Sequence, residues 1–315
     1  MNCRQAGNYL LHLLYCWETV GLAIKFKTFG IVGISIAILL ILLGWLGVFA
    51  QPRPDMPFPD GFRPRRGGFR SPRGFPPPDE SSFIDPTEIE RPSPFGDSEF
   101  TFARMIYTGF ISWEFTRSWT TDWPKSDRQF ILGVQRLTNI RVADDTVAVS
   151  LTDPDLFNYP FLYSVECGHW DLTDDEIKGL REYLKRGGFL FCDDFWGTQE
   201  WAIFQENILK VLPEARITDI PLSHRVFHSY YDIEELVQVP YIRNALYSTR
   251  TYEQDGYFPY CKGIFDENDR LMVMINLNTD LGDAWEWADL PELPARYSTY
   301  AYKLGINAII YAMSH

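Results

Sequence analysis

The chain has 315 residues, 46% of them hydrophobic, which is ample for a packed core in one or two domains. Its net charge of −13 is unevenly placed, because residues 1–98 carry 10 Lys and Arg against 9 Asp and Glu while residues 99–315 carry 19 against 33. So acidic a region repels a phosphate backbone, which excludes nucleic acid as its partner.

The N-terminal segment, residues 1–28, holds an apolar run from Tyr9 to Trp17 that is too short to span a bilayer. Phe29 to Ala50 follows, 22 residues without a charge. At 1.5 Å per residue it covers roughly 30 Å, the depth of a bilayer core, and predicts a transmembrane helix or uncleaved signal anchor. Lys25 and Lys27 precede it, and Val48-Phe49-Ala50 resembles a cleavage site, but the run is longer than a signal-peptide core. Orientation has two indicators. Arg53, Arg63, Arg65 and Arg66 outnumber the two lysines and point to a cytoplasmic domain, whereas the signal-like order of basic, apolar and cleavage-like elements points to export. Export is the reading adopted, with the folded domain periplasmic or otherwise extracytoplasmic. Residues 51–98 are rich in Pro, Gly and Arg and lack the apolar content to fold, so they predict a disordered linker.

From Glu99 onward, strand and helix patterns alternate. Phe100–Tyr107 predicts a first strand, Asp127–Leu137 a helix, Thr146–Thr152 a second strand and Phe161–Val165 a third. Thr173 and Glu176 form a capping box that opens a helix with an Ile177, Leu180, Leu184 stripe, and Gly187 ends it. The stretch GGFLFCDDFWG, Gly187 to Gly197, then reads as a buried strand opening into an Asp-Asp-aromatic turn. Helices over Gln199–Leu212 and Tyr300–Met313, a short strand at Arg216–Ile220, a turn at Gly263–Asp269 and a buried strand at Leu271–Asn276 complete the pattern. It predicts an α/β fold: a doubly wound, mostly parallel sheet spanning residues 99–315.

Several blocks, FTFARMIY, YPFLY, RGGFLFCDDFWG, HRVFHSYYD, NTDLGDAWE and LGINAIIYA, resemble the bacterial family called domain of unknown function 4159. That resemblance implies a class I glutamine amidotransferase-like, flavodoxin-like fold over residues 99–315, and no established activity. It also invites a search for a Cys-His-Glu triad. Cys192 follows the right strand but lacks the flanking glycines of a nucleophile turn, its neighbour Asp193 disfavours a thiolate, and no His-x-Glu pair follows. Cys167 fits no better. The five cysteines form no CxxC pair and no zinc-like spacing with histidine.

The acidic residues carry more chemistry. Asp153, Glu166, Asp193 and Asp194 each fall at the predicted carboxyl end of a strand, where open α/β sheets bind ligands, and Asp280 and Glu286 follow the last strand. Clustered carboxylates need a cation, and Arg104 on the first strand is the expected partner. Trp196 and the other loop tryptophans either stack on a ligand or seal the sheet. His224 and His228, four apart, are weak metal candidates. No cofactor is predicted, with a divalent metal as the open alternative. The expectation is a membrane-tethered, non-catalytic ligand-binding or assembly module of the cell envelope whose ligand is a glycan, peptide or protein. The rival expectation is a hydrolase of an envelope glycan or peptide using Asp193 or Asp194 with His224 or His228.

Overall fold

The computed structural model describes residues 98–109 and 119–315. The predicted membrane segment at residues 29–50, the linker up to residue 97 and Trp113 lie outside the described residues. Among those described, no helix is long and apolar enough to cross a membrane.

Seven strands form one sheet in the order β2-β1-β3-β4-β7-β6-β5. They are β1 (Ala103–Ile106), β2 (Val147–Ser150), β3 (Phe161–Val165), β4 (Phe189–Asp193), β5 (Ile217–Asp219), β6 (Tyr260–Phe265) and β7 (Leu271–Leu277). The first five in spatial order, β2 to β7, run parallel; β6 pairs antiparallel with β7, and β5 antiparallel with β6. The predicted mostly parallel α/β architecture is therefore present. The antiparallel strand β6, between β7 and the short edge strand β5, was not foreseen, since the sequence reading placed only a turn there. Over its first four residues Tyr260 and Lys262 are more exposed than Cys261 and Gly263, as suits an antiparallel strand covered mainly on one face.

Helices cover both faces because the central strands are apolar on both. Phe189 and Phe191 pack on one side with α1 (Lys125–Leu137), α5 (Leu281–Glu286) and α6 (Ala295–Ser314). Leu190 and Cys192 pack on the other with α2 (Asp174–Lys185) and α3 (Gly197–Val211). A short helix, α4 (Ile242–Tyr247), lies between β5 and β6 in the chain. The Thr173–Glu176 capping box opens α2, each side chain answering the other's backbone N–H. At the other end of α2, Gly187 takes φ +108°, a left-handed turn that releases the chain into β4. This winding delivers Asp193 to the carboxyl edge of the sheet, one strand from β3 and one from β7.

Candidate functional site

Asp193 ends β4 on the face shared with α5. Its carboxylate accepts the Tyr163 hydroxyl at 2.9 Å and the backbone N–H groups of Leu281 at 3.2 Å and Gly282 at 2.9 Å. Burial nevertheless pushes it up to about 7, against the pull of those three donors. Asp194, in a left-handed turn at φ +50°, accepts the indole N–H of the buried Trp196 at 2.8 Å. Burial, and then Asp122 and Asp193, hold it well above the carboxylate range.

Three more carboxyl groups come from α5 and its cap. Asp280 caps α5 by accepting the Asp283 N–H at 2.8 Å, and Asp283 accepts the N–H of Ile242 at 2.5 Å. Burial raises both well above their ordinary range, reinforced first by the charge of Asp194 at Asp280 and of Asp122 at Asp283. Glu286 rises to about 8 through burial and then the charge of Asp122. Asp122, at φ +62° just before α1, rises to about 6, through burial opposed by Arg104.

Six carboxyl groups thus bear on one another at the ends of β4 and β7. Gly282 lies among them because nothing larger fits: a Cβ there would meet Asp122 Oδ2 at 2.7 Å and the Tyr163 hydroxyl at 2.9 Å. Among the described residues, the cations that act on Asp122 and Glu286 are Arg104 and Lys125, and both are engaged elsewhere. Lys125 lies 3.3 Å from Asp289 and over the Trp287 ring.

Arg104 requires a correction. Its expected partners were the strand-end carboxylates, but its Nε and Nη2 grip Asp127, with Nε to Oδ2 at 2.8 Å. Nη2 also donates to Ser126 Oγ at 3.0 Å, and Nη1 donates to the carbonyls of Trp119 at 3.0 Å and Thr121 at 2.9 Å. All five guanidinium donors are used. With its donors so engaged, Arg104 pins the Trp119–Asp127 stretch that carries Asp122.

Asp153 is also apart, because β2 lies three strand spacings from β4, roughly 14 Å. It accepts the N–H of Asp155 at 2.9 Å and caps a short 3-10 turn. Glu166 sits at the sheet's carboxyl edge but on the other face. There His169 Nδ1 approaches it at 3.3 Å and His169 Nε2 lies 3.8 Å from Glu200. His224 and His228 belong to the opposite end of the sheet. His224 packs on Phe265 and Tyr311, whose hydroxyl accepts the N–H of Leu271 at the start of β7. His228 is held by Asp232 at 2.8 Å and the carbonyl of Leu222. Neither histidine reaches Asp193, so the acid-plus-histidine pairing has no geometry behind it. Both ring nitrogens of His228 are engaged, by Asp232 and the Leu222 carbonyl, and His224 Nδ1 accepts the Val226 N–H, which speaks against their pairing on a metal.

Cys192 faces Cys167 across the other core, and burial, then Cys167, push its thiol well above its ordinary value. Trp119, Trp170, Trp196 and Trp285 are all buried, so they seal the sheet and form no exposed platform. Asp122, Asp283 and Tyr163 were missed as site residues. Only Asp283 carried a sequence signal, as an acidic residue three after the Asp280 cap.

The sheet and its acidic edge define an α/β domain of doubly wound type, with its polar groups gathered beyond the carboxyl ends of the central strands. Residues 101–313 match the family described as Domain of unknown function (DUF4159), and the chain belongs to that family. No curated protein matches it.

Proposed function

We propose that this protein is a membrane-tethered, non-catalytic ligand-binding module, with residues 29–50 as the tether and the acidic edge of the extracytoplasmic domain as its binding site. The proposal extends to an amidotransferase-like, flavodoxin-like origin, for which the strand order β2-β1-β3-β4-β7 speaks. The observation that carries the reading is the convergence of Asp122, Asp193, Asp194, Asp280, Asp283 and Glu286 at the place where open α/β sheets bind ligands. Buried charges of one sign are stable only when a partner neutralises them, so the ligand presents positive charge or hydrogen-bond donors. Catalysis by thiol has no support, because Cys192 is sealed in the core and, among the described residues, has no histidine partner.

The test uses the full chain in detergent. Thermal shifts are recorded with divalent cations, polyamines, cationic peptides and sugars, for the native protein and Asp283→Asn. A ligand whose shift disappears in Asp283→Asn supports the reading. Glutaminase or amidase turnover that vanishes in Cys192→Ala contradicts it. Protease accessibility of residues 51–97 in intact cells tests the tether; cleavage from the outside is the expected result.

A further inference from the structure

We infer that Asp122, Asp283 and Glu286 form a binding site for a hard divalent cation. The inference rests on the ligand-binding reading above and names the class of ligand. The three side chains each offer one carboxylate oxygen, and these oxygens lie within 4.8 Å of one another. Oxygens on opposite sides of a calcium ion are about 4.6–5.2 Å apart and on a magnesium ion about 4.0–4.2 Å, so separations within this limit suit one shared coordination sphere of a hard divalent cation.

A second observation is independent of the clustering. Asp122 as a residue is partly exposed, yet its Oδ2 atom is sealed from solvent and has no hydrogen-bond partner. A buried carboxylate oxygen without a donor is strongly disfavoured in a folded protein unless something positive meets it. A Cβ on Gly282 would stand 2.7 Å from that oxygen, with the Tyr163 hydroxyl at 2.9 Å and Asp280 Oδ1 at 3.6 Å. The position of Asp122 in a left-handed turn is fixed from behind by the Arg104 clamp on the Trp119–Asp127 stretch. Asp283 is held by the Ile242 N–H through Oδ2, which leaves Oδ1 for a ligand. All donor atoms are oxygens, the set that hard cations select over zinc or copper. Three carboxylates against one divalent ion leave a single negative charge.

The experiment takes the full chain in detergent, stripped with EDTA at pH 7.5, and titrates it separately with Ca²⁺, Mn²⁺ and Mg²⁺. Terbium serves as a luminescent substitute, because Trp285 and Trp287 flank Glu286 and would sensitise an ion bound there. The expected result is a rise in Tm of about 5 °C or more at a hundredfold excess of Ca²⁺ over Kd. Asp122→Asn and Glu286→Gln should each weaken Ca²⁺ and terbium by at least about tenfold. Glu166→Gln, in the Glu166, His169 and Glu200 group on the other face, should leave affinity within about twofold. The inference is overturned if no cation shifts Tm, or if the shift survives in both Asp122→Asn and Glu286→Gln. Were cations inert while a polyamine or sugar gave an Asp283-dependent shift, the cation site would fall and the binding reading would stand. If nothing gave such a shift, both would fall.

Discussion

Raising the pH of the cation-free protein from 5 to 7 should destabilise it, which reverses the usual behaviour of domains whose carboxylates are salt-bridged. Asp193 has an ordinary value of 3.8 and is pushed up to about 7 in the fold. Between those values the folded chain holds a proton that the unfolded chain has released, so stability is highest at low pH and falls as pH rises. Over the whole window the effect is about 4 kcal/mol, and between pH 5 and 7 about 2 kcal/mol. For a domain of this size that is a fall in Tm of about 4–8 °C. Asp122 and Glu286, raised to about 6 and about 8, act in the same direction. The lowered His224 opposes them, but it is one part-exposed group. Asp145, Asp255 and Asp266 are lowered and contribute only in the acid range below this window. The assay is scanning calorimetry from pH 5 to 8 with EDTA present. Stability that is level or rises from pH 5 to 7 would refute the reasoning.

Two further substitutions probe what holds the site in place. Arg104→Met leaves Asp127 buried without its partner and should lower stability by about 3–5 kcal/mol in urea unfolding. The double change with Asp127→Leu should recover much of that loss, because no buried charge is then stranded. Asn307→Leu removes the acceptor of the Tyr230 and Tyr231 N–H groups and the donor to the Tyr231 carbonyl. It should lower stability by about 2–3 kcal/mol and speed amide exchange at residues 230 and 231.

Legibility of the sequence followed the range of the forces involved. Strand β3 was read at its observed bounds, and α2 with its capping box was read in full, because apolar periodicity and caps act within a few residues. The first strand was read too long: Phe100 makes only an isolated bridge to Val142 and the ladder begins at Ala103. Strand β6 was overlooked since a half-exposed strand has a weak pattern and its place between β5 and β7 is set by long-range pairing. In the candidate site, Asp193, Asp194 and Asp280 were legible from their places after predicted strands. Asp122 was not, because its position depends on the Arg104 clamp, which joins residues 15 to 23 apart in the chain. Glu166 was expected beside Asp193, but the chain turns left-handed there, at φ +53°, and places it on the opposite face. Asp153 was grouped with the rest because strand order cannot be read from strand sequence.

The most direct measurement of the central claim is carboxyl titration by ¹³C NMR with aspartate-labelled protein, in EDTA and in Ca²⁺. The account predicts aspartate carboxyls that stay protonated above pH 6 in EDTA, Asp193 and Asp283 among them, with Asp283 ionising when Ca²⁺ is added. Aspartates that are all ionised by pH 5, with spectra indifferent to Ca²⁺, would contradict it.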